Sequence, residues 1–180
     1  MKRSIPLLLI CLLLCGCGNR ALENRFTAFS KALAEQEALQ FTAEVRSEYD
    51  DKSFSFTLAY EKDADGQTIR VLEPERIAGI QAHLAPESST LEFQGLILDT
   101  GPLDPYGLSP MNALPTLVDA LCGGHLESAW EEDGIPAYHL IWDDHLSARV
   151  WFDPEAMVPL RAELQSDDTV RIFCEIHDWR

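Results

Sequence analysis

From Gln40 onward the apolar side chains recur at every second position, and this alternation limits what the chain can become. Phe41, Ala43 and Val45 stand against Thr42, Glu44 and Arg46, and Phe54, Phe56, Leu58 and Tyr60 against Ser53, Ser55 and Thr57. Leu146, Ala148, Val150 and Phe152 repeat the pattern, as do Val170, Ile172, Cys174 and Ile176. A period of two is that of a strand with one face buried. Between the runs lie turn formers: Asp50-Asp51-Lys52, Asp65-Gly66, Asp133-Gly134, Asp143-Asp144, Asp153-Pro154 and Ser166-Asp167-Asp168. Gln67–Leu72 reads as a strand closed by Pro74, which has no N–H to give a ladder. Ile77–Leu84, Leu91–Leu98 (broken at Gly95), Leu126–Glu131, Ala137–Trp142 and Val158–Leu164 continue the series. No strand–helix–strand alternation or fixed repeat occurs, so the expectation is one large antiparallel meander.

Two stretches depart from that period. Over residues 22–39 Leu22, Phe26, Phe29 and Leu33 recur at spacings of three and four, which predicts a helix opposite a polar face with Glu23, Arg25, Lys31 and Glu35. Met111, Leu114, Leu117, Val118 and Leu121 form a second stripe, ended by Gly123-Gly124. Ser109-Pro110 reads as its cap and first-turn proline, while Pro115 either kinks that helix or starts it. Residues 99–110, with Gly101, Pro102, Pro105, Gly107 and Pro110, read as a loop long enough to be a flap. A sheet of this many strands must curl, and the apolar helices can pack only on its concave side. The fold class is therefore α+β: a large curved antiparallel sheet with an N-terminal helix and a second, lid-like helix.

The beginning of the chain fixes a compartment. Lys2 and Arg3 precede the apolar run Ile5–Leu14, which falls short of the ~20 residues that span a bilayer. Leu14-Cys15-Gly16-Cys17 then reads as a lipobox, with a branched aliphatic at −3, small Gly16 at −1 and Cys17 as the lipidated residue; Cys15 at −2 is unusual. A frame shifted to Cys15 would put bulky Leu14 at −1. An ordinary secretory signal cut near Gly18 would explain the apolar run but leave Cys17 without a purpose. The expected organisation is a lipoprotein signal peptide at 1–16, a lipidated tether at 17–21 and one domain at 22–180. The protein is expected on the extracytoplasmic face of a cell membrane, or at the outer membrane in a cell with two.

Loss of Lys2 and Arg3 takes the formal charge from −16 to −18, twelve basic against thirty acidic side chains. Phosphate recognition needs basic clusters, so nucleic acid is not an expected partner. Of five cysteines, Cys122 and Cys174 remain beside Cys17. An even pair outside the cytoplasm is a disulfide candidate, and the inward faces assigned to both residues allow it; two buried free thiols are the alternative.

The order of elements resembles the LolA/LolB-like lipoprotein-carrier superfamily. The matching stretches are the helix running into Phe41-Thr42-Ala43-Glu44-Val45, then Leu72-Glu73-Pro74-Glu75-Arg76-Ile77-Ala78-Gly79 and Leu91–Leu98. Trp151-Phe152-Asp153-Pro154 followed by Val158-Pro159-Leu160-Arg161-Ala162-Glu163 also matches. The resemblance implies an unclosed half-barrel lidded by helices, binding acyl chains in its concavity or reused as a sensor or partner-binding scaffold. A germination-lipoprotein-like relative is a neighbouring reading. Anchoring at Cys17 departs from the freely shuttling carrier, and suits a membrane-bound acceptor or local chaperone.

Candidate residues for a hydrophobic-ligand cavity are Phe41, Val45, Phe54, Phe56, Leu58, Leu91, Phe93, Val150 and Phe152, with Leu117, Val118 and Leu121 from the lid. Each would equally suit a packed core. No G-x-S-x-G or other catalytic constellation occurs, so an enzyme is not expected, nor a cofactor. His139, Asp143, Asp144 and His145 cluster at one hairpin, but acids there are turn formers and no third ligand is evident, so no metal is expected. Trp142, Trp151 and Trp179 read as sheet-packing residues. The expected function is a membrane-anchored binder of lipid or another hydrophobic ligand; the alternative is a non-enzymatic envelope module with a protein partner.

Overall fold

The computed structural model describes residues 17–49, 52–85, 88–101 and 108–180. Helix α1 (Cys17–Ala34) leads into β1 (Leu39–Tyr49), β2 (Lys52–Asp63) and β3 (Gly66–Glu73). A 3-10 turn (Glu75–Ile77) precedes β4 (Gln81–Ala85), β5 (Ser88–Phe93) and β6 (Leu96–Asp99). Helix α2 (Ala113–Gly123) is followed by β7 (His125–Glu132), β8 (Ile135–Asp143), β9 (Leu146–Phe152), β10 (Pro159–Ser166) and β11 (Thr169–His177). The strands form one 11-stranded sheet in the order β6-β5-β4-β3-β2-β1-β11-β10-β9-β8-β7, and its ends do not pair with each other. The α+β, unclosed half-barrel expectation holds.

The single meander does not. The chain winds outward from the centre to β6, crosses to the opposite edge at β7, and winds back until β11 pairs with β1, Val45 facing Cys174. Alternation marks which face of a strand is buried but carries no information on pairing order, so this central join left no trace in the sequence.

Four boundaries also move. Helix α1 begins at Cys17, through the expected tether, and ends at Ala34, where the Gln36 N–H turns back to the Leu33 carbonyl. Leu39 belongs to β1, because Gln40 exchanges both main-chain hydrogen bonds with Arg180, at 2.8 and 2.9 Å. Ile77 sits in the 3-10 turn, not in β4. Leu91–Leu98 is a hairpin: Gln94 and Gly95 have φ of 52° and 81°, the two left-handed residues of a type I′ turn. Pro115 lies in the first turn of α2, two residues after its start at Ala113, where a missing N–H costs no internal bond, so it does not interrupt the helix. Ser109 and Asn112 form a turn just before it: the Ser109 N–H donates to Asn112 Oδ1 at 2.6 Å. The Asp50-Asp51 turn and residues 102–107 of the expected flap lie outside the described residues.

The core lies on the concave side. Phe26 and Leu33 of α1 and Leu114, Leu117, Val118 and Leu121 of α2 pack onto the inward residues of the strands. Gly124 caps the end of α2, its N–H bonding the Ala120 carbonyl oxygen at 2.8 Å, and a Cβ at that position would come within 2.6 Å of the same oxygen. Among the described residues no helix is long and apolar enough to cross a membrane.

Candidate functional site

Eight of the twelve cavity candidates are core residues. Phe41 stacks between Tyr60 and Trp179, at ring-centroid distances of 4.8 and 4.7 Å. Phe152 meets Phe29 and Tyr138 edge-on at 4.9 and 5.2 Å, and Phe26 lies 4.9 Å from Tyr138. Val45, Leu58, Val150, Leu117, Val118 and Leu121 are buried around these rings. Phe56 and Leu91 pack partly buried against the cluster. Phe93 is half-buried, and Phe54, opposite buried Ser47, is 47% exposed. Over the eight core residues the concave face is occupied by the protein's own helices and aromatic rings, while around Phe54, Phe56, Leu91 and Phe93 it is only partly covered.

Among the described residues, the hydroxyls of Ser47, Tyr60 and Tyr138 inside that packing have no hydrogen-bond partner. Burial raises the pKa of both tyrosines, so each stays a neutral phenol at any physiological pH.

Cys122 and Cys174, expected as a candidate pair, are free thiols. Cys122 sits at the end of α2, where its carbonyl accepts a hydrogen bond from Ser30 Oγ at 3.1 Å. Its pKa is raised by burial and lowered less by Lys62. Cys174 lies mid-sheet between Val45 and Ala162, and burial pushes its thiol up to about 12. Helix α2 packs on α1, β8 and β10.

A groove of about 470 Å³ lies on the opposite, convex face across β2, β1, β11 and β10. It carries Glu44, Arg46, Ser55, Thr57, Glu73, Arg161, Glu163, Phe173 and Glu175. Val45 and Phe56 border it as neighbours in their strands, although the Val45 side chain is buried in the core. Arg46 lies over the Phe173 ring at 4.4 Å, its cross-strand partner, and pairs with Glu48 at 3.3 Å. Arg161 lies over Trp151 at 4.2 Å and pairs with Glu132 at 3.6 Å, the carboxylate to which Trp151 Nε1 donates at 2.7 Å. Each arginine is held flat on the sheet by a ring and an acid. This outer arrangement escaped the sequence reading; its signals were Phe173, an aromatic out of phase with Ile172, Cys174 and Ile176, and Trp151, out of phase with Val150 and Phe152.

The histidine hairpin separates into two unrelated features. His145 Nδ1 lies 2.8 Å from Asp167 Oδ1, in an exposed contact between two turns. His139 faces Arg149 across the β8–β9 ladder, and burial, then Arg149, lowers its pKa. Among the described residues no group of three or more His, Cys, Asp or Glu could hold a metal ion. Trp179 packs on Phe41, Trp142 lies against the core, and Trp151 lies on the outer face.

No family model matches the sequence, and no curated protein matches it. The fold is LolA-like. A LolA superfamily protein from Nitrosomonas europaea is similar at a TM-score of 0.51 and 11% identity, over 88% of this chain and 92% of that one. A DUF1329 family protein from Desulfovibrio piger gives 0.50 and 11%, over 89% and 90%. An uncharacterised conserved protein from Thermus thermophilus gives 0.50 and 9%, over 89% and 85%.

Proposed function

We propose that this chain is an extracytoplasmic lipoprotein, held at a membrane through Cys17, whose LolA-like domain is a non-enzymatic binding module working through its surface. The observation that carries the reading is the close packing of α1 and α2 onto the part of the concave face that holds Phe41, Val45, Leu58, Val150 and Phe152. An acyl chain in that space would have to displace Phe26, Phe29 and Leu117 together, and with them two helices. The anchor rests on the lipobox, and α1 beginning at Cys17 would seat the domain close to the bilayer.

Native mass spectrometry of the processed protein tests the packed interior. A ligand-free mass is expected; co-purifying lipid in stoichiometric amount would overturn it. For the anchor, wild-type protein should enter the detergent phase and Cys17→Ala should accumulate as precursor. Unlipidated wild-type protein found wholly in the medium would refute that part. A second reading, a carrier of a hydrophobic ligand, draws support from the unpartnered Tyr60 and Tyr138 hydroxyls, which could meet a ligand's polar atoms if the helices swung out.

A further inference from the structure

The two ends of the sheet are finished differently. The edge at β7 carries His125, Glu127, Glu131 and Glu132, a register shift between Leu126 and Ser128, and the flank of α1. Charges, a bulge and a covering helix are the ordinary means by which a sheet edge is kept from recruiting another strand. Among the described residues the edge at β6 has no helix packed along it and a single charge, Asp99 at its end, and the chain bulges only past the strand, where Thr100 and Gly101 both bond Ser89. Leu96, Ile97 and Leu98 are 77%, 70% and 63% exposed, so apolar side chains stand free on both of its faces.

Its main chain is also open. The two-residue turn Gln94-Gly95 makes Phe93 and Leu96 a hydrogen-bonded pair, and alternation then turns the groups of Leu98 toward Leu91. The Thr100 N–H, next in phase, indeed donates to the Ser89 carbonyl at 2.9 Å. The N–H and C=O of Ile97 and Asp99 therefore point away from the sheet. The charged residues of the hairpin, Glu92 and Asp99, are both acidic.

We propose that β6 is a docking edge that accepts an extended, apolar segment of a partner protein as a twelfth strand, with basic residues flanking that segment. The main-chain groups of Ile97 and Asp99 supply the pairing; Leu96, Ile97 and Leu98 supply contacts on either face. Glu92 and Asp99, within a strongly acidic protein, select positive flanks and disfavour an anionic bilayer or a second copy of this chain. The inference deepens the binding-module reading and rests on it.

The test uses the full lipidated protein in neutral detergent and a labelled peptide of alternating valine and threonine with two lysines at each end. Saturable binding is expected, with the Ile97 and Asp99 amides newly protected from hydrogen exchange. Ile97→Pro removes an outward donor and no ladder bond, and should weaken binding roughly tenfold or more. Ile97→Lys, which leaves the main chain intact, should do the same through charge, as should glutamate flanks on the peptide. Absent binding, or binding indifferent to both variants and to the flanks, overturns the proposal. So does protection of the same amides by phosphatidylcholine vesicles without peptide, which would make β6 a membrane contact. A ligand-free mass together with absent peptide binding removes the docking edge while leaving the packed-interior reading intact.

Discussion

The two wings of the sheet flank the same central pair, β1 and β11, yet are built to different standards. On the β7–β10 side the inward residues Tyr138, Leu140, Ala148, Val150, Phe152, Ala162 and Leu164 are essentially excluded from solvent, under two helices and a cluster of rings. On the β3–β6 side burial thins strand by strand: Ile69 and Val71, then Ala82 alone, then partly buried Leu91, then a fully exposed β6. A sheet is a continuous hydrogen-bonded object, but what makes it rigid is what lies on its face. One wing is a core and the other is a ledge, which is where a surface that must adapt to a partner is best placed.

The sharpest way to break this contrast is a pair of matched truncations. Phe152→Ala should cost about 3–5 kcal/mol of unfolding free energy, because it empties the space between Phe26, Phe29 and Tyr138. Phe93→Ala should cost about 1–2 kcal/mol, in proportion to its partial burial. Equal losses in urea titrations would show the wings to be equally packed. Native-state hydrogen exchange sharpens the picture further: amides of Val150 and Ala162 should exchange only through global unfolding, and those of Leu91 and Leu98 through smaller openings. Comparable protection in both wings would count against the ledge.

The thiols report on the same gradient from inside. Cys174, with its thiol pushed up to about 12 by burial, should be labelled at neutral pH only as the whole domain unfolds. Half-buried Cys122 should react sooner, and unfolded, unreduced protein should titrate both. Finding neither thiol free would restore the disulfide. The smallest effect concerns the packed wing's own turn. The Ala156 and Glu155 N–H groups, which bond Asp153 Oδ1 at 2.7 and 2.9 Å, hold its carboxyl below the usual carboxylate range. A depressed folded pKa means the turn is fully supported above the ordinary carboxylate value and loosens as pH falls through the lower, folded one. The Glu155 and Ala156 amides should therefore lose protection in acid in the wild type but not in Asp153→Asn, and a pH-independent wild type would disprove the assignment.

Strand faces were legible in the sequence because each needs only local alternation: Phe41, Val45 and Leu58 fall inside as read, and so do Val150 and Phe152. What was not legible is whatever depends on two distant segments meeting. Phe54 obeys the alternation yet lies beyond the cover of the helices, and nothing within ten residues of it could say so. Leu96, Ile97 and Leu98 read as the continuation of a core strand because a Gln-Gly turn is a weaker signal than Asn-Gly. The outer groove depends on Arg46 meeting Phe173 and Arg161 meeting Trp151, pairings set by register across neighbouring strands. Whether the concavity is hollow or full depends on where α1 and α2 come to rest, which their own stripes do not encode.

The join between β1 and β11 sets a timetable. Thr42 and Asp178, whose side chains meet across it, are 136 positions apart in the chain. As the chain is synthesised, β1 exists early and then waits for almost the entire domain before its second neighbour does. Until then β1 is the open edge of a six-stranded half-sheet, its outer main-chain groups unpaired although it lies at the centre of the finished sheet. Non-local pairing of this kind is slow.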